Sequence, residues 1–363
     1  MAQDTRREKR LAHIMNELEA RGIPQMLVTD PASIEWLYGF GINPGERFYG
    51  LLLRAGSEPL LLVNDLFPTP DDLAVEVRGF RDTDDPIELV ASLLDPQAPL
   101  GVDKFMAAHF LLPLRDRGAA SDFVLGSFAV DGARSIKDAD EVELMRRASA
   151  VNDEAMGWLL TQVREGVTEV QIADALLEEY KRLGAQGFSF KPIISFGAHA
   201  ADPHHEPDDT PLAAGDVVLF DVGCVLDGYC SDMTRTFFYK GCTPEQRRVY
   251  ETVRAANEAA AAAVAPGVLF SEIDRTARAI IEDAGYGREF THRLGHQIGT
   301  NVHEPGDVSA THHEPVRPGM CFSDEPGIYL PGRFGVRIED LVVVTEEGHE
   351  VLNRFPHDLV VVE

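Results

Sequence analysis

The sequence predicts an α+β chain in two parts: a small α/β domain over residues 1–131 and a larger domain over residues 132–363 made of two ααβ halves. Three observations predict it. The chain has 363 residues, room for about two domains at ~150 residues each. Helix-period and strand-period segments alternate in the first part. In the second part, Gly166 and Gly184 bracket one helix-like segment, and Gly267 and Gly285 bracket another at the same separation. Each bracketed segment follows a long helix-like run and precedes strand-like ones, the signature of an internal repeat.

Residues 5–21 carry apolar positions at helical spacing through Leu11, Ile14, Met15 and Leu18, ending at Gly22. QMLVT (25–29) reads as a strand, and PASIEWLY as a short helix opened by Pro31. FYGLLLR and PLLLV follow as strands split by Gly56 and Ser57, and DPIELVASLL and KFMAAHFLL as helices with the strand LGVD between them. In the second part, Asp138 with Glu141, Thr168 with Gln171 and Thr243 with Gln246 are capping boxes that open three helices. Pro244 sits at the first helical position of the third, and a fourth helix spans about 271–285.

A net charge of −27 excludes a phosphate backbone as partner and disfavours an anionic membrane surface. No run of ~20 apolar residues suggests a membrane span. MAQDTRREKR has no apolar stretch behind it and does not read as a signal peptide. Cys224, Cys230, Cys242 and Cys321 are sparse and irregularly spaced, so the expectation is reduced thiols in a cytoplasmic protein.

The acidic excess is not spread evenly. In VVLFDVGCVLDGYCSDMTRTFFY (217–239) two apolar arms flank Asp227-Gly228, the dipeptide favoured in a type I′ hairpin turn. That turn pairs Val225 with Cys230 and Gly223 with Asp232, which leaves Asp221 and Asp232 as diagonal neighbours on one face, ~7–8 Å apart. It also sets Cys224 and Cys230 on opposite faces, against a disulfide between them. In CFSDEPGIYLPGRFGVRIEDLVVV (321–344), pairing about Gly332 sets Glu325 opposite Glu339. Like charges directly opposed destabilise a sheet, so something positive belongs between them: Arg337 as a structural ion pair, or a divalent cation. His296 and His303 follow in RLGHQIGTNVHEP, and FGAHAADPHHEP (196–207) supplies His199, His204 and His205 in a loop.

These segments resemble the metallopeptidases of the pita-bread fold, and within them the Xaa-Pro peptidases, prolidase and aminopeptidase P. DVGCVLDGYCSDMTRTF, GHQIG with VHEP, EPGIY and GVRIED carry the resemblance. It covers the chain from about Arg134 onward, with a creatinase-like α/β domain before it. The resemblance implies a pita-bread catalytic domain of duplicated ααβ halves and five metal ligands: Asp221, Asp232, His296, Glu325 and Glu339. It implies that Asp232 and Glu339 bridge two ions, with Asp221 completing one coordination sphere and His296 and Glu325 the other. His204 and His303 match histidines that line the family's substrate site. The chain departs from the family at Gln297, where glycine is frequent, at Ser323, where threonine is usual, and at His199, where asparagine is common.

An oxygen-rich set with one imidazole suits Mn²⁺ first, with Co²⁺ or Zn²⁺ as substitutes. Two such ions activate water near neutral pH. Glu325 is then the candidate proton carrier, and His204 or His303 the candidate to stabilise a developing oxyanion. The expected activity is cleavage of Xaa–Pro bonds, of dipeptides by preference. Arg337, or Arg47 in GFGINPGERFYG, would bind the substrate's free carboxylate. Aminopeptidase P action on longer Xaa-Pro peptides is the alternative; methionine aminopeptidase and a non-catalytic binding protein on the same fold are weaker ones. The resemblance also implies a homodimer.

Overall fold

The computed structural model describes residues 2–363, with side chains described from Thr5 onward. The chain divides into two compact units, Met1–Arg134 and Ser135–Glu363, so the division falls within the helix Ser127–Ser135.

The first unit is built on a six-stranded mixed sheet. Its order is Glu76–Phe80, Leu60–Asn64, Gly50–Arg54, Gln25–Val28, Leu100–Val102, Phe123–Leu125. Gln25–Val28 runs antiparallel to Gly50–Arg54 and parallel to Leu100–Val102. Side-chain alternation buries both faces: Met26, Val28, Leu51 and Leu53 join one apolar layer, Leu27 and Leu52 the other. Burial on both faces is why these strands read as unbroken apolar runs. The expected helix at 104–112 is found later, at Ala108–Asp116. Two strands, Glu76–Phe80 and Phe123–Leu125, and the helix Ser127–Ser135 were not foreseen. The two strands are the edges of the sheet; Glu76–Phe80 carries little apolar content because it has a neighbour on one side alone, and Phe123–Leu125 is only three residues long, too short to show a period.

In the second unit the capping boxes at Asp138, Thr168 and Thr243 all form and open helices Ala139–Gln162, Glu169–Arg182 and Pro244–Ala263. The fourth helix is Phe270–Asp283. The backbone repeats between halves. Gly166 N–H donates to Leu212 O and Gly267 N–H to Val316 O, both at 2.9 Å. Isolated bridges join Thr168 to Pro211 and Leu269 to Pro315. Gly166, Gly184, Gly267 and Gly285 all hold φ between 79° and 90°, the left-handed region where a Cβ is costly.

The strand Val217–Val222 lies between the two helix layers. Val217 and Leu219 face the core of the second half, and Val218, Phe220 and Val222 that of the first. It pairs antiparallel with Met233–Tyr239 inside a four-stranded sheet. A five-stranded sheet carries Gly295–Gln297, Cys321–Asp324 and Asp340–Val344.

Candidate metal centre

The first hairpin turns where the sequence requires. Asp227 has φ 48° and Gly228 φ 81°, as a type I′ turn demands, and Val225 faces Cys230. The same register continues beyond the turn, with Met233 on Val222 and Thr234 on Asp221. Between those pairs, a Cβ on Gly223 would meet Ser231 O at 2.1 Å, so only glycine lets the arms close there. All four cysteines are free thiols.

The second hairpin holds its register through two sheets. Gly327 faces Arg337 on one side and Asp324 faces Asp340 on the other, which brackets Glu325 and Glu339 between matched pairs. His296 arrives on Gly295–Gln297, beside Cys321–Asp324. A Cβ on Gly295 would meet Ser323 O at 1.8 Å, so that approach too depends on glycine.

These elements bring Asp221, Asp232, His296, Glu325 and Glu339 to one cavity of about 610 Å³. His204 and His303 line the same cavity and are exposed, as do Arg337 and His292. Phe190, Pro192, Ile193 and Val302 add apolar wall. Asp232, His296 and Glu339 are almost fully buried and can place one donor atom each within 4.8 Å of the others. His296 Nε2 stands 3.7 Å from Asp232 Oδ2 and 3.6 Å from Glu325 Oε1. Those separations are too long for good hydrogen bonds, but near the ~3 Å expected of two donors each ~2.1 Å from one ion.

The electrostatics ask for positive charge. Arg337 supplies one unit: its Nη2 donates to Asp221 Oδ2 at 2.5 Å, its Nε to Thr234 Oγ1 at 2.9 Å and its Nη1 to the Tyr329 hydroxyl at 2.8 Å. Thr234 in turn donates to Glu339 Oε2 at 2.6 Å. One guanidinium does not neutralise four carboxylates. Burial first, and the neighbouring carboxylates second, push the Asp232 and Glu339 carboxyls well above their ordinary range. Burial raises Glu325 to about 7 although Arg337 opposes it. Asp221 Oδ1 and Asp232 Oδ1 are buried without a hydrogen-bond partner among the described residues. Burial also lowers His296 to about 3, so its imidazole is neutral and able to ligate at neutral pH. Its Nδ1 lies 3.1 Å from Gln297 O, leaving Nε2 for the carboxylates. The donor set therefore fits divalent cations.

Sequence reasoning named Ser323 only as a departure from the family pattern and passed over His292, and so missed how these residues hold the set in place. Ser323 Oγ accepts from His296 N–H at 3.0 Å and donates to Glu325 Oε1 at 3.2 Å. A hydroxyl stands where the family pattern also has one. His292 lies 2.8 Å from the Tyr329 hydroxyl, and burial with the nearby Arg337 lowers it to about 4. The one available signal was its place in HRLGH, four residues ahead of His296. Arg47 lies in the first unit, where it grips Asp82 with Nε and Nη2 at 2.8 and 2.9 Å.

Comparison with known proteins identifies the family. The model of metallopeptidase family M24 matches residues 143–346, and that of the creatinase/prolidase N-terminal domain matches residues 10–136. A Bacillus subtilis (strain 168) protein assigned as a dipeptidase, YkvY, is 36% identical over 97% of this chain and 99% of its own length. Dipeptidase PepE from Mycobacterium ulcerans is 37% identical with a TM-score of 0.92, covering 98% of each chain. A recombinant prolidase from Thermococcus sibiricus is 32% identical with a TM-score of 0.92, covering 99% of each. The chain belongs to metallopeptidase family M24 and carries the creatinase/prolidase N-terminal domain.

Proposed function

We propose that this metallopeptidase hydrolyses the bond between an N-terminal residue and a following proline, with dipeptides as its preferred substrates. The observation that carries the reading is the convergence of Asp221, Asp232, Glu325, Glu339 and a neutral His296 on one cavity. We infer that these five residues hold two divalent ions, Mn²⁺ first, with Asp232 and Glu339 shared between them. When bound, such ions supply an activated water and polarise a carbonyl.

The chain's own groups do the rest. Glu325, lifted to about 7 by burial, can take a proton and pass it to the leaving imide nitrogen near neutral pH. His204 and His303 face the same cavity and can stabilise charge on the scissile carbonyl oxygen. The Xaa–Pro bond lacks an N–H, so a protease that reads its substrate as an added strand loses a hydrogen bond there. A site that recognises the free amino end does not need it.

Dipeptide preference is supported by relatives named dipeptidase and prolidase. It requires a cation for the free carboxylate. Arg337 is inside the cavity, but Asp221, Thr234 and Tyr329 already share its guanidinium. Arg47 is the second candidate, bound to Asp82. A homodimer in the cytoplasm belongs to the same proposal; the dimer rests on the family resemblance and the compartment on the sparse, irregular cysteines, and sedimentation tests the first. The decisive experiment is steady-state kinetics with Mn²⁺ on Xaa-Pro against Xaa-Pro-Yaa. Dipeptides should give the higher kcat/KM. Faster cleavage of tripeptides would favour an aminopeptidase P, and cleavage of Met-Ala-Ser over Ala-Pro a methionine aminopeptidase.

A further inference from the structure

Glu169 opens the helix Glu169–Arg182 and its side chain has no exposed surface, yet among the described residues no lysine or arginine pairs with it. Four N–H groups surround it instead. Oε1 accepts from Phe196 N–H at 2.8 Å and lies 3.0 Å from His199 Nδ1. Oε2 accepts from Asp208 N–H at 3.1 Å and lies 2.7 Å from His205 Nε2. A carboxylate has no hydrogen to give, so both imidazoles donate. Phe196 and Asp208 are the two ends of one loop, and His199 and His205 lie within it, their ring centroids 4.1 Å apart and the planes tilted by 34°. The loop's one other histidine is His204, which faces the metal centre.

We propose that Glu169 is a positioning residue for peptide hydrolysis: it ties both ends and two interior side chains of loop 196–208 to one rigid helix start and so fixes His204 over the reacting bond. The proposal rests on the peptidase reading above. A buried carboxylate stripped of water and given four donors is a stiff anchor, because losing any one leaves a buried group unsatisfied. The same cluster, with Asp208, has the composition of a metal site. The geometry argues against that use. Two donors of a tetrahedral ion at ~2.0–2.1 Å stand about 3.3 Å apart, well beyond the 2.7 Å between His205 and Glu169. Every acceptor position of the carboxylate is also already taken.

Wild-type turnover of an Xaa-Pro dipeptide tests the underlying reading by itself, and the variants are judged against it. Glu169→Gln turns one oxygen into a donor facing donors. It should lower kcat on the order of 10- to 100-fold, as a displacement of about 1 Å does, with the metal content of the centre unchanged. In a His204→Ala background the same change should alter kcat less than twofold, since its effect passes through His204. An additive loss in the double variant, or an unchanged kcat in the single one, overturns the proposal. If Glu169→Gln does not fold, the His199 pair decides. His199→Asn keeps an amide N–H near the place of Nδ1 and should retain most of the kcat that His199→Ala loses; equal losses in both overturn the proposal. An extra divalent ion per chain that disappears in His199→Ala would overturn it in favour of a metal site.

Discussion

In the first half of the catalytic unit the Asn152 amide donates to Val222 O at 2.8 Å; in the second the Asn257 amide donates to Asp324 O at 3.0 Å. Each asparagine sits on the long helix of its half, and each carbonyl belongs to the residue next to a site carboxylate, Val222 after Asp221 and Asp324 before Glu325. The next helix of each half tells the opposite story. Its first residue is Glu169 in one half, bound by two histidines, and Phe270 in the other, stacked on His312 at 4.5 Å. Where a buried backbone carbonyl must be satisfied, the repeat keeps the same solution. Where a side chain faces a loop, the halves have diverged. The proposed metal centre would need both halves, since Asp221 and Asp232 reach the cavity from one and Glu325 and Glu339 from the other.

The largest expected effect tests that sharing. Asp232→Asn and Glu339→Gln remove one carboxylate from each half, and each should cut kcat/KM on the order of 10³-fold or more, from several kcal/mol of lost stabilisation. Metal content by elemental analysis should fall in both. Full turnover in either variant would mean that one half alone builds the site.

The carboxylates also set a pH dependence. Burial and mutual repulsion raise Glu325 to about 7 and Asp232 and Glu339 well above their ordinary values, against about 4 in an unfolded chain. An acid raised on folding makes the folded state hold more protons. Its contribution is therefore fully present below the unfolded pKa and is lost as pH rises through the folded one, about 7 for Glu325. Divalent ions bound to these carboxylates would take the place of those protons. The rise in melting temperature on adding Mn²⁺ to chelated protein should be larger at pH 8 than at pH 5. Equal rises would show that the carboxylates do not bind the ion.

A smaller effect falls on the support of the second half. Ser323→Ala deletes a hydroxyl that serves both His296 N–H and Glu325, and such partners of a ligand are worth about 10- to 100-fold in affinity or activity. Titration with Mn²⁺ should show the weaker binding while the melting temperature of chelated protein changes little.

Much of this was legible because turns and caps are local. Asp227-Gly228 dictates its own turn, and one register then places every residue of both arms. The turn at Gly332 does the same for Glu325 and Glu339. What could not be read are contacts between distant segments. Thr234 reaches Glu339 across 105 positions, and Arg337 reaches Asp221 across 116. Sequence reasoning also offered Arg337 or a cation as alternative neutralisers of the Glu325–Glu339 pair. Arg337 instead pairs with Asp221, and the excess of negative charge remains. Glu169 looked like any acid in the first turn of a helix, where the helix dipole favours one.

The smallest effect separates the two asparagines. Asn152→Ala strands Val222 O and also the Tyr180 hydroxyl, which donates to Asn152 Oδ1 at 2.6 Å. Asn257→Ala strands Asp324 O. An unsatisfied buried group costs about 1–3 kcal/mol, so both variants should be less stable by denaturant unfolding, Asn152→Ala the more so. Equal losses would mean that Tyr180 finds another partner and that the halves remain equivalent in energy as well as in backbone. A larger loss at Asn257 would break the comparison, since it would place the main support of the metal centre in the half with the simpler network.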